Sequence, residues 1–367
     1  MQESTKNIIL QAGFDVDNDD VVSVPEIEGL TRDMKKIILN SPSPGREEIR
    51  TLVNLFYQIQ DIRIAVSEQI RSIQREVSGA PEPNEGNLII LTWVLKSVAA
   101  TEKGIKDALE KICMSNEVGR WLMSIKGIGP ALGAGCLAYF NVEGVNYASN
   151  FISYAGLNDN NRPWLGKEKS KKIIDQVIDE MADDGKTITD EMAEVISART
   201  QWKYQYLCDK ARSEKGVWSK DKLIKACSKI PYNASLKTHM WKVGKSFEYL
   251  KSNENSLYGR LLSERITLEI QKNERGDFKE LCEQRLQEKT YGKDTETFKC
   301  YSEGKLSLPE INARSRRWVQ KIFISHLFEE MYRVRYNKLP ARYYALEHCD
   351  GHHDEIEPEV PYYVITG

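Results

Sequence analysis

The segment SIKGIGPALGAG, residues 124–135, carries the residue types that best suit the binding of an anion. Gly127 and Gly129 give the backbone the freedom that a tight turn needs. Pro130 suits the first position of a helix, because proline lacks an N–H that would be unpaired there. The amides that follow stay unpaired at the positive end of the helix dipole, where phosphate is a natural ligand. We therefore expect a phosphate-binding turn; the alternative is a turn that only closes two packed helices.

Basic segments elsewhere in the chain extend this candidate phosphate site. Residues 162–172 carry five basic residues and one acidic residue, and residues 311–344 carry eight basic residues and two acidic ones. Basic residues interleaved with Trp and Tyr suit phosphate contact and base stacking, although a charged helix face is often simply solvated. The candidate contact residues, with the turn included, are Lys126, Gly127, Ile128, Gly129, Gly133, Arg162, Lys167, Lys169, Lys171, Lys172, Lys237, Arg316 and Arg317.

Two clusters are weaker candidates for metal binding. Residues 15–26 fit a calcium-loop pattern, but Asp20 stands where the sharp turn needs glycine, so we expect a solvated acidic turn. Residues 348–353 hold zinc-type ligands, but no second cluster completes a four-ligand spacing, so we favour a polar tail. No cofactor is expected. The calcium-type candidates are Asp15, Asp17, Asp19 and Glu26, and the zinc-type candidates are His348, Cys349, His352 and His353.

Two further residues could act in proton or group transfer. Ser170 is a candidate nucleophile, but a serine needs a positioned base and groups that stabilise an anion, and the sequence identifies neither. His326 lies on the apolar face of a predicted helix, and we expect a buried histidine with satisfied hydrogen bonds there rather than a catalytic base.

Two long amphipathic helices are predicted before the glycine turn. Apolar residues recur three and four positions apart over residues 49–73 and again over 91–112, with Arg63 and Glu102 at seam positions. A break rich in Pro and Gly at 78–86 separates the two helices, which favours a long antiparallel coiled-coil hairpin over 48–115. Its remaining apolar stripe could pair with a second copy of the chain, or both helices could belong to one compact bundle.

The remaining segments also predict helices, so the expected fold class is all-α. Residues 1–47 form a lead-in with one helix near 30–39, and residues 116–250 form a helix-hairpin-helix core with a helical insertion at about 174–218. Within that insertion, the sequence predicts two helices separated by DDGKT. Asn233 is expected to cap a helix whose apolar side holds Leu236 and Met240. Residues 251–367 form a helical basic region with a polar tail.

Composition and charge limit the class of protein. The 367 residues are 29% charged and 41% hydrophobic, which is ordinary for a globular protein. A net charge of -2 argues against a uniformly basic coat on nucleic acid and leaves a local basic face open. The seven cysteines are scattered without a CxxC pair, which indicates free thiols in a reducing compartment. With no signal peptide and no membrane span in the sequence, we expect a cytoplasmic protein.

The turn and the segments around it resemble a known family. IKGIGP at 125–130 is followed by FISYAGL at 151–157 and by NASLK at 233–237. This arrangement resembles the C-terminal domain of the bacterial insertion-sequence transposases that carry a RuvC-like DEDD catalytic domain and work with a structured guide RNA. That family shows a coiled-coil hairpin, an IPGIGP turn, an AYxGL motif and a basic helix start. Beyond the turn, the matching residues are Phe151, Tyr154, Ala155, Gly156, Leu157, Asn233, Leu236 and Lys237.

The resemblance covers roughly residues 48–250 and implies a nucleic-acid-binding core. A RuvC-like domain holds four carboxylates around two Mg²⁺ ions and needs on the order of 100 residues or more. Only about 47 residues precede the first long helix, so we expect this chain to lack the metal-dependent half. In the family a serine nucleophile lies in a Ser/Gly-rich stretch soon after the AYxGL motif, where this chain offers Ser170.

Three functional hypotheses follow. The first is a non-catalytic protein of a phage or mobile element that binds DNA, or structured RNA, through the backbone as a homodimer. The second is a transposase or recombinase that uses a serine nucleophile while a partner supplies the metal chemistry. The third is a helical scaffold for protein assembly.

Overall fold

The computed structural model describes residues 15–16, 22–23, 25–40, 44–76, 85–158, 164–181, 187–341 and 356–358. Within these ranges the chain forms helices joined by turns, and the predicted all-α fold class is confirmed. The exception is a pair of two-residue strands, β1 (Asp15–Val16) and β2 (Val22–Ser23), which run antiparallel.

Three helices are described between residues 25 and 114. They are α1 (Pro25–Asn40), α2 (Arg46–Glu76) and α3 (Glu85–Met114). Helix α3 packs against both α2 and α1, so the helix expected near 30–39 covers part of the α3 surface. The Met34 side chain occupies the space beside Gly104, where a Cβ would collide with it.

A polar pair lies between α2 and α3. Arg63 and Glu102, the residues predicted at the two seams, form an ion pair with each other, and Gln60 donates to the same carboxylate at 3.2 Å. An ion pair in an apolar seam favours one register over its neighbours, since a slip would leave both charges without partners. The coiled-coil geometry itself stays a prediction.

Three short helices follow, and the glycine turn lies between the first two of them. They are α4 (Glu117–Ser124), α5 (Pro130–Tyr139) and α6 (Ala148–Tyr154). The Asn116 side chain accepts a hydrogen bond from the Gly119 amide at 2.7 Å and so caps α4. Helix α5 packs against α2, α3 and α4, which places the turn at the base of the long helix pair.

Four helices over residues 166–227, which extend beyond the insertion predicted at about 174–218, share a small core of their own. They are α7 (Gly166–Met181), α8 (Asp190–Thr200), α9 (Tyr204–Ala211) and α10 (Lys220–Cys227). Buried residues such as Ile174, Ile196, Leu207 and Leu223 pack together there. The prediction of two helices over this segment missed α9, because Gln201 takes a left-handed conformation with φ of 58° and ends α8.

Between residues 234 and 336 the structure describes five further helices. They are α11 (Ala234–Tyr249), α12 (Leu257–Arg275), α13 (Lys279–Glu288), α14 (Glu296–Ser302) and α15 (Leu308–Tyr336). Helix α15 packs against α4, α6, α11 and α12 and runs through the main core. The predicted Asn233 cap on α11 is confirmed, since its side chain accepts from the Leu236 amide at 3.0 Å.

Two buried histidines connect helices. His326 on α15 is within 2.8 Å of the Tyr258 hydroxyl and within 2.6 Å of the Ile356 carbonyl oxygen, so it is the core histidine that its position predicted. His239 on α11 lies beside Gly135 of α5, and its Nε2 donates to the Leu132 carbonyl at 3.0 Å.

Two sequence expectations concern the cell compartment. Six of the seven cysteines lie among the described residues, and all six are free thiols. None of the described helices has the length and apolar character needed to cross a membrane.

The free energy of unfolding should fall as the pH drops from about 6.5 to about 4. Burial lowers the pKa of His239 and of His326 to about 4, whereas an unfolded histidine titrates near 6.5. The unfolded chain therefore binds these protons first, and acid favours it until the folded histidines titrate as well. Each histidine should contribute about 2 kcal/mol of the loss by pH 5.

Urea unfolding at a series of pH values measures this dependence. The variants His239→Gln and His326→Gln should each lose about 2 kcal/mol less free energy of unfolding than the wild type when the pH is lowered to 5. An unchanged slope in either variant would contradict a neutral buried histidine at that position.

Candidate nucleic-acid interface

The turn between α4 and α5 has the predicted helix-hairpin-helix form. Helix α4 ends at Ser124 and α5 begins with Pro130 at its first position. Ile125 and Ile128 are buried in the main core. Gly127 has a φ of 97°, a left-handed conformation that side chains make costly.

The hydrogen bonds of the turn decide which amides remain for a ligand. The Ile128 amide donates to the Ile125 carbonyl at 3.0 Å, and the Gly133 amide donates to the Gly129 carbonyl at 2.9 Å. The amides of Ile128 and Gly133 are thus used within the protein, so phosphate contact by these two predicted residues would need other atoms. In the turn and the first turn of α5, five amides donate to no protein group within the described ranges, namely those of Lys126, Gly127, Gly129, Ala131 and Leu132.

The turn has one packed side and one open side. On the packed side, the Ser246 hydroxyl of α11 donates to the Gly127 carbonyl at 2.5 Å, and a Cβ at Gly127 would lie 2.9 Å from Cδ1 of Leu250. On the open side, a Cβ at Gly129 would meet no atom within 4 Å. Lys126 is exposed next to the turn. A ligand can therefore approach the free amides beside Gly129 without displacing protein.

The small residues after the turn serve helix packing. A Cβ at Gly133 would lie 3.2 Å from the Cys113 sulfur, and a Cβ at Gly135 would collide with the His239 ring. Helix α5 thus fits closely between α3 on one side and α11 on the other. This packing accounts for Gly133 and Gly135 without any ligand contact.

Two segments after the turn carry the family resemblance, FISYAGL at 151–157 and NASLK at 233–237, and they contact each other. The Asn233 amide donates to the Tyr154 carbonyl at 2.9 Å, and the Asn233 side-chain amide lies 2.8 Å from the Tyr154 hydroxyl. Gly156, with a φ of 67°, lies directly against the Tyr232 ring. The insertion α7–α10 therefore leaves and rejoins the chain between two segments that are in contact.

Two predicted cations are tied to aromatic rings of the protein. Lys237 is 4.3 Å from the centroid of the Tyr232 ring, and Arg316 is 5.8 Å from that of Trp241. Arg316 also pairs with Glu248 at 2.6 Å. Its neighbour Arg317 is half-buried on α15. Lys237 and Arg316 thus have structural partners already and can contact a ligand only through their remaining donors.

The lysines of the insertion form a different surface. Lys167, Lys169, Lys171 and Lys172 are all exposed on α7, whose packing partners are α8 and α10. Their side chains are available to solvent, but the helix packing does not place α7 against α4 or α5. Arg162 lies outside the described residues.

The structure gives little support to the nucleophile and metal candidates. Ser170 is buried, and its hydroxyl donates to the Gly166 carbonyl one turn earlier at 2.7 Å, so no base is bonded to it in the described chain. The side chains of Asp15 and Glu26 lie outside the described part of the molecule, as do Asp17, Asp19 and residues 348–353. Among the described residues, no group of three or more His, Cys, Asp and Glu could hold a metal ion.

A network on α11 was not found from the sequence. Glu248 pairs with Lys245 at 3.0 Å as well as with Arg316, and Lys245 is 5.6 Å from the centroid of the Tyr249 ring. Burial raises the pKa of Glu248, but the hydrogen bonds from both cations outweigh it and hold that pKa below its ordinary value. The usable signal was the four-residue spacing of Trp241, Lys245 and Tyr249, which places them on one helix face.

Comparisons with known proteins identify no relative. No protein-family model, no curated protein and no solved structure matches this chain. The resemblance to the transposase family therefore rests on the motif residues alone.

The two glycines of the turn should respond differently to alanine. Gly127→Ala should lower the free energy of unfolding by about 1–2 kcal/mol, because alanine is strained in the left-handed region. Gly129→Ala is the matched control and should cost less, about 0.5 kcal/mol, since its φ is -92° and the space beside it is open, so that only the poorer cap preference of alanine opposes it. Urea unfolding of both variants measures the difference, and equal effects would contradict this turn geometry.

Proposed function

We propose that this protein binds DNA through the phosphate backbone at the α4–α5 turn, with structured RNA as the alternative ligand. The observation that carries the proposal is the open side of the turn, where amides without a protein acceptor lie at the start of α5 beside exposed Lys126. Backbone amides at a helix start bind phosphate without reading bases. The binding is therefore largely independent of sequence.

The proposal includes kinship with the transposase C-terminal domain and an origin in a phage or mobile element. The support is the contact between the two motif segments, in which Asn233 bonds to Tyr154 although 79 positions separate them. The long insertion between these two segments does not separate them, so the unit that carries both motifs stays intact. The chain is proposed to be non-catalytic, because the buried Ser170 has no base bonded to it in the described chain.

The α2–α3 pair is proposed to hold two copies of the chain together. Ile62, Ile90 and Trp93 are large apolar side chains that remain exposed on these helices. Apolar side chains at helical spacing on a long helix pair are typical of helix-to-helix association.

Acidic substitution on this face should weaken the dimer. Ile90→Glu together with Trp93→Glu should shift the protein to monomer in sedimentation velocity, because the contact would bury charge without partners. Val217→Glu is the matched control, since Val217 is equally exposed but lies before α10 in the insertion. A wild-type protein that stays monomeric at high concentration would refute the dimer and leave DNA binding untouched.

Gly129→Asp is the sharpest test of the turn. Gly129 is the cap residue of α5, has extended backbone and makes no side-chain cap bond. Aspartate is a favoured cap, so stability should be equal or higher by a few tenths of a kcal/mol. The same carboxylate would occupy the free amides and repel phosphate, so affinity for DNA should fall roughly tenfold. Fluorescence anisotropy with a labelled duplex at two salt concentrations measures the affinity.

The control is Gly45→Asp, which adds the same charge in open space just before α2. This variant should bind DNA as the wild type does. Equal losses in both variants would indicate a general charge effect, and no loss at Gly129 would refute phosphate binding by the turn. Absence of salt-sensitive binding by the wild type to any nucleic acid would refute the proposed function as a whole.

A further inference from the structure

One face of α11 combines exposed aromatic rings with cations. Trp241 and Tyr249 are 50% and 82% exposed, and Lys245 lies between them in the sequence. These three residues are spaced four apart, so they follow one face of the helix. Single exposed aromatic residues are common on protein surfaces, but two on one helix face with cations against them are typical of a binding surface.

Each ring already carries a cation. Arg316 is 5.8 Å from the centroid of the Trp241 ring, and Lys245 is 5.6 Å from that of the Tyr249 ring. Glu248 pairs with both cations, at 2.6 Å and 3.0 Å, and so holds them in place. A ring with a cation on one side keeps its exposed surface for another flat group, and the fixed cations restrict how the ring can turn.

This face adjoins the glycine turn. Ser246 and Leu250 contact Gly127. They directly follow Lys245 and Tyr249, two of the three residues that form the exposed stripe of α11. Successive residues on a helix are about 100° apart, so the stripe borders the side of α11 that contacts the turn. The exposed rings of α11 therefore border the packed side of the turn.

We propose that Trp241 and Tyr249 form a stacking platform for unpaired bases, so that the ligand held at the turn is single-stranded or contains an unpaired segment. This inference rests on the proposed nucleic-acid binding. Stacking on aromatic rings needs a free base face, and the bases inside a duplex are stacked on each other. Helix α11 carries three lysines and one glutamate, a balance that favours a polyanion over a protein helix.

The spacing of the rings fits separate nucleotides. Trp241 and Tyr249 are eight positions apart, which corresponds to about 12 Å along the helix. Neighbouring bases of a stacked strand are only about 3.4 Å apart along the axis, so the two rings would take bases from different nucleotides of an extended strand. The cations between the rings would then face the connecting phosphates.

Substitution of both rings tests the platform. The variant Trp241→Leu with Tyr249→Leu keeps apolar side chains but cannot stack, and Trp241→Phe with Tyr249→Phe keeps aromatic faces. Anisotropy is measured with labelled oligothymidylate, with oligouridylate and with a duplex whose ends are closed by non-nucleotide linkers, so that every base is paired. The leucine pair should lose about tenfold or more in affinity for the single strands and keep its affinity for the closed duplex.

The phenylalanine pair should recover most of the single-strand affinity, which a merely structural role would not predict. Tyr336→Leu is the positional control, because that exposed tyrosine lies about 30 Å along α15 from Arg316 and should leave all affinities unchanged. Equal melting temperatures establish that each variant is folded.

The outcomes separate the platform from the proposed function. Wild-type binding to the closed duplex alone, or an equal loss on all three ligands in the leucine pair, overturns the platform and leaves the turn proposal standing. No salt-sensitive binding to any ligand by the wild type overturns both. A loss of affinity that is confined to oligothymidylate or to oligouridylate supports the platform. It identifies the strand as DNA in the first case and as RNA in the second.

Discussion

The packing of α11 against α5 is the constraint on which the candidate interface depends. Near the start of α11, the His239 ring fills the space that a side chain at Gly135 would need. Two turns later, the Ser246 hydroxyl donates to the Gly127 carbonyl. The first contact fixes the helix that follows the turn, and the second fixes the turn itself. The free amides are thus positioned by the protein before any ligand arrives, which lowers the entropic cost of binding.

Internal carboxylates neutralise much of the positive charge in the C-terminal third. Arg265 and Arg314 bond to Glu269 at 2.5 Å and 3.2 Å, and Lys272 lies 4.0 Å away. Glu269 is buried, so removing its partners would leave a costly unpaired charge. Arg314 joins α15 to α12 through this carboxylate, whereas Arg265 and Lys272 lie on α12 together with Glu269. A count of basic residues along the sequence therefore overstates the basic surface, while an exposed lysine such as Lys126 counts in full.

The helices could be predicted from the sequence because apolar spacing and caps are local signals. Pro130 and Asn233 marked the starts of α5 and α11 correctly. Partners across the fold could not be predicted in the same way. Arg63 and Glu102 were each recognised as polar residues in an apolar seam, but their pairing depends on a register that neither helix specifies alone. The bond of the Ile128 amide to the Ile125 carbonyl could not be predicted either, because it depends on how the turn closes.

A phosphate-binding turn and an aromatic platform would select different properties of a ligand. The turn offers backbone amides, which every nucleic acid can satisfy, so it adds affinity without discriminating between strand forms. Stacking on Trp241 and Tyr249 requires bases that are not already paired, so it discriminates by strand form without reading sequence. Phosphate contacts weaken as salt rises because counterion release is less favourable, whereas stacking itself releases no counterions. Two adjacent surfaces on a chain with a net charge of -2 can therefore combine backbone affinity with strand selectivity, although neither recognises a particular base.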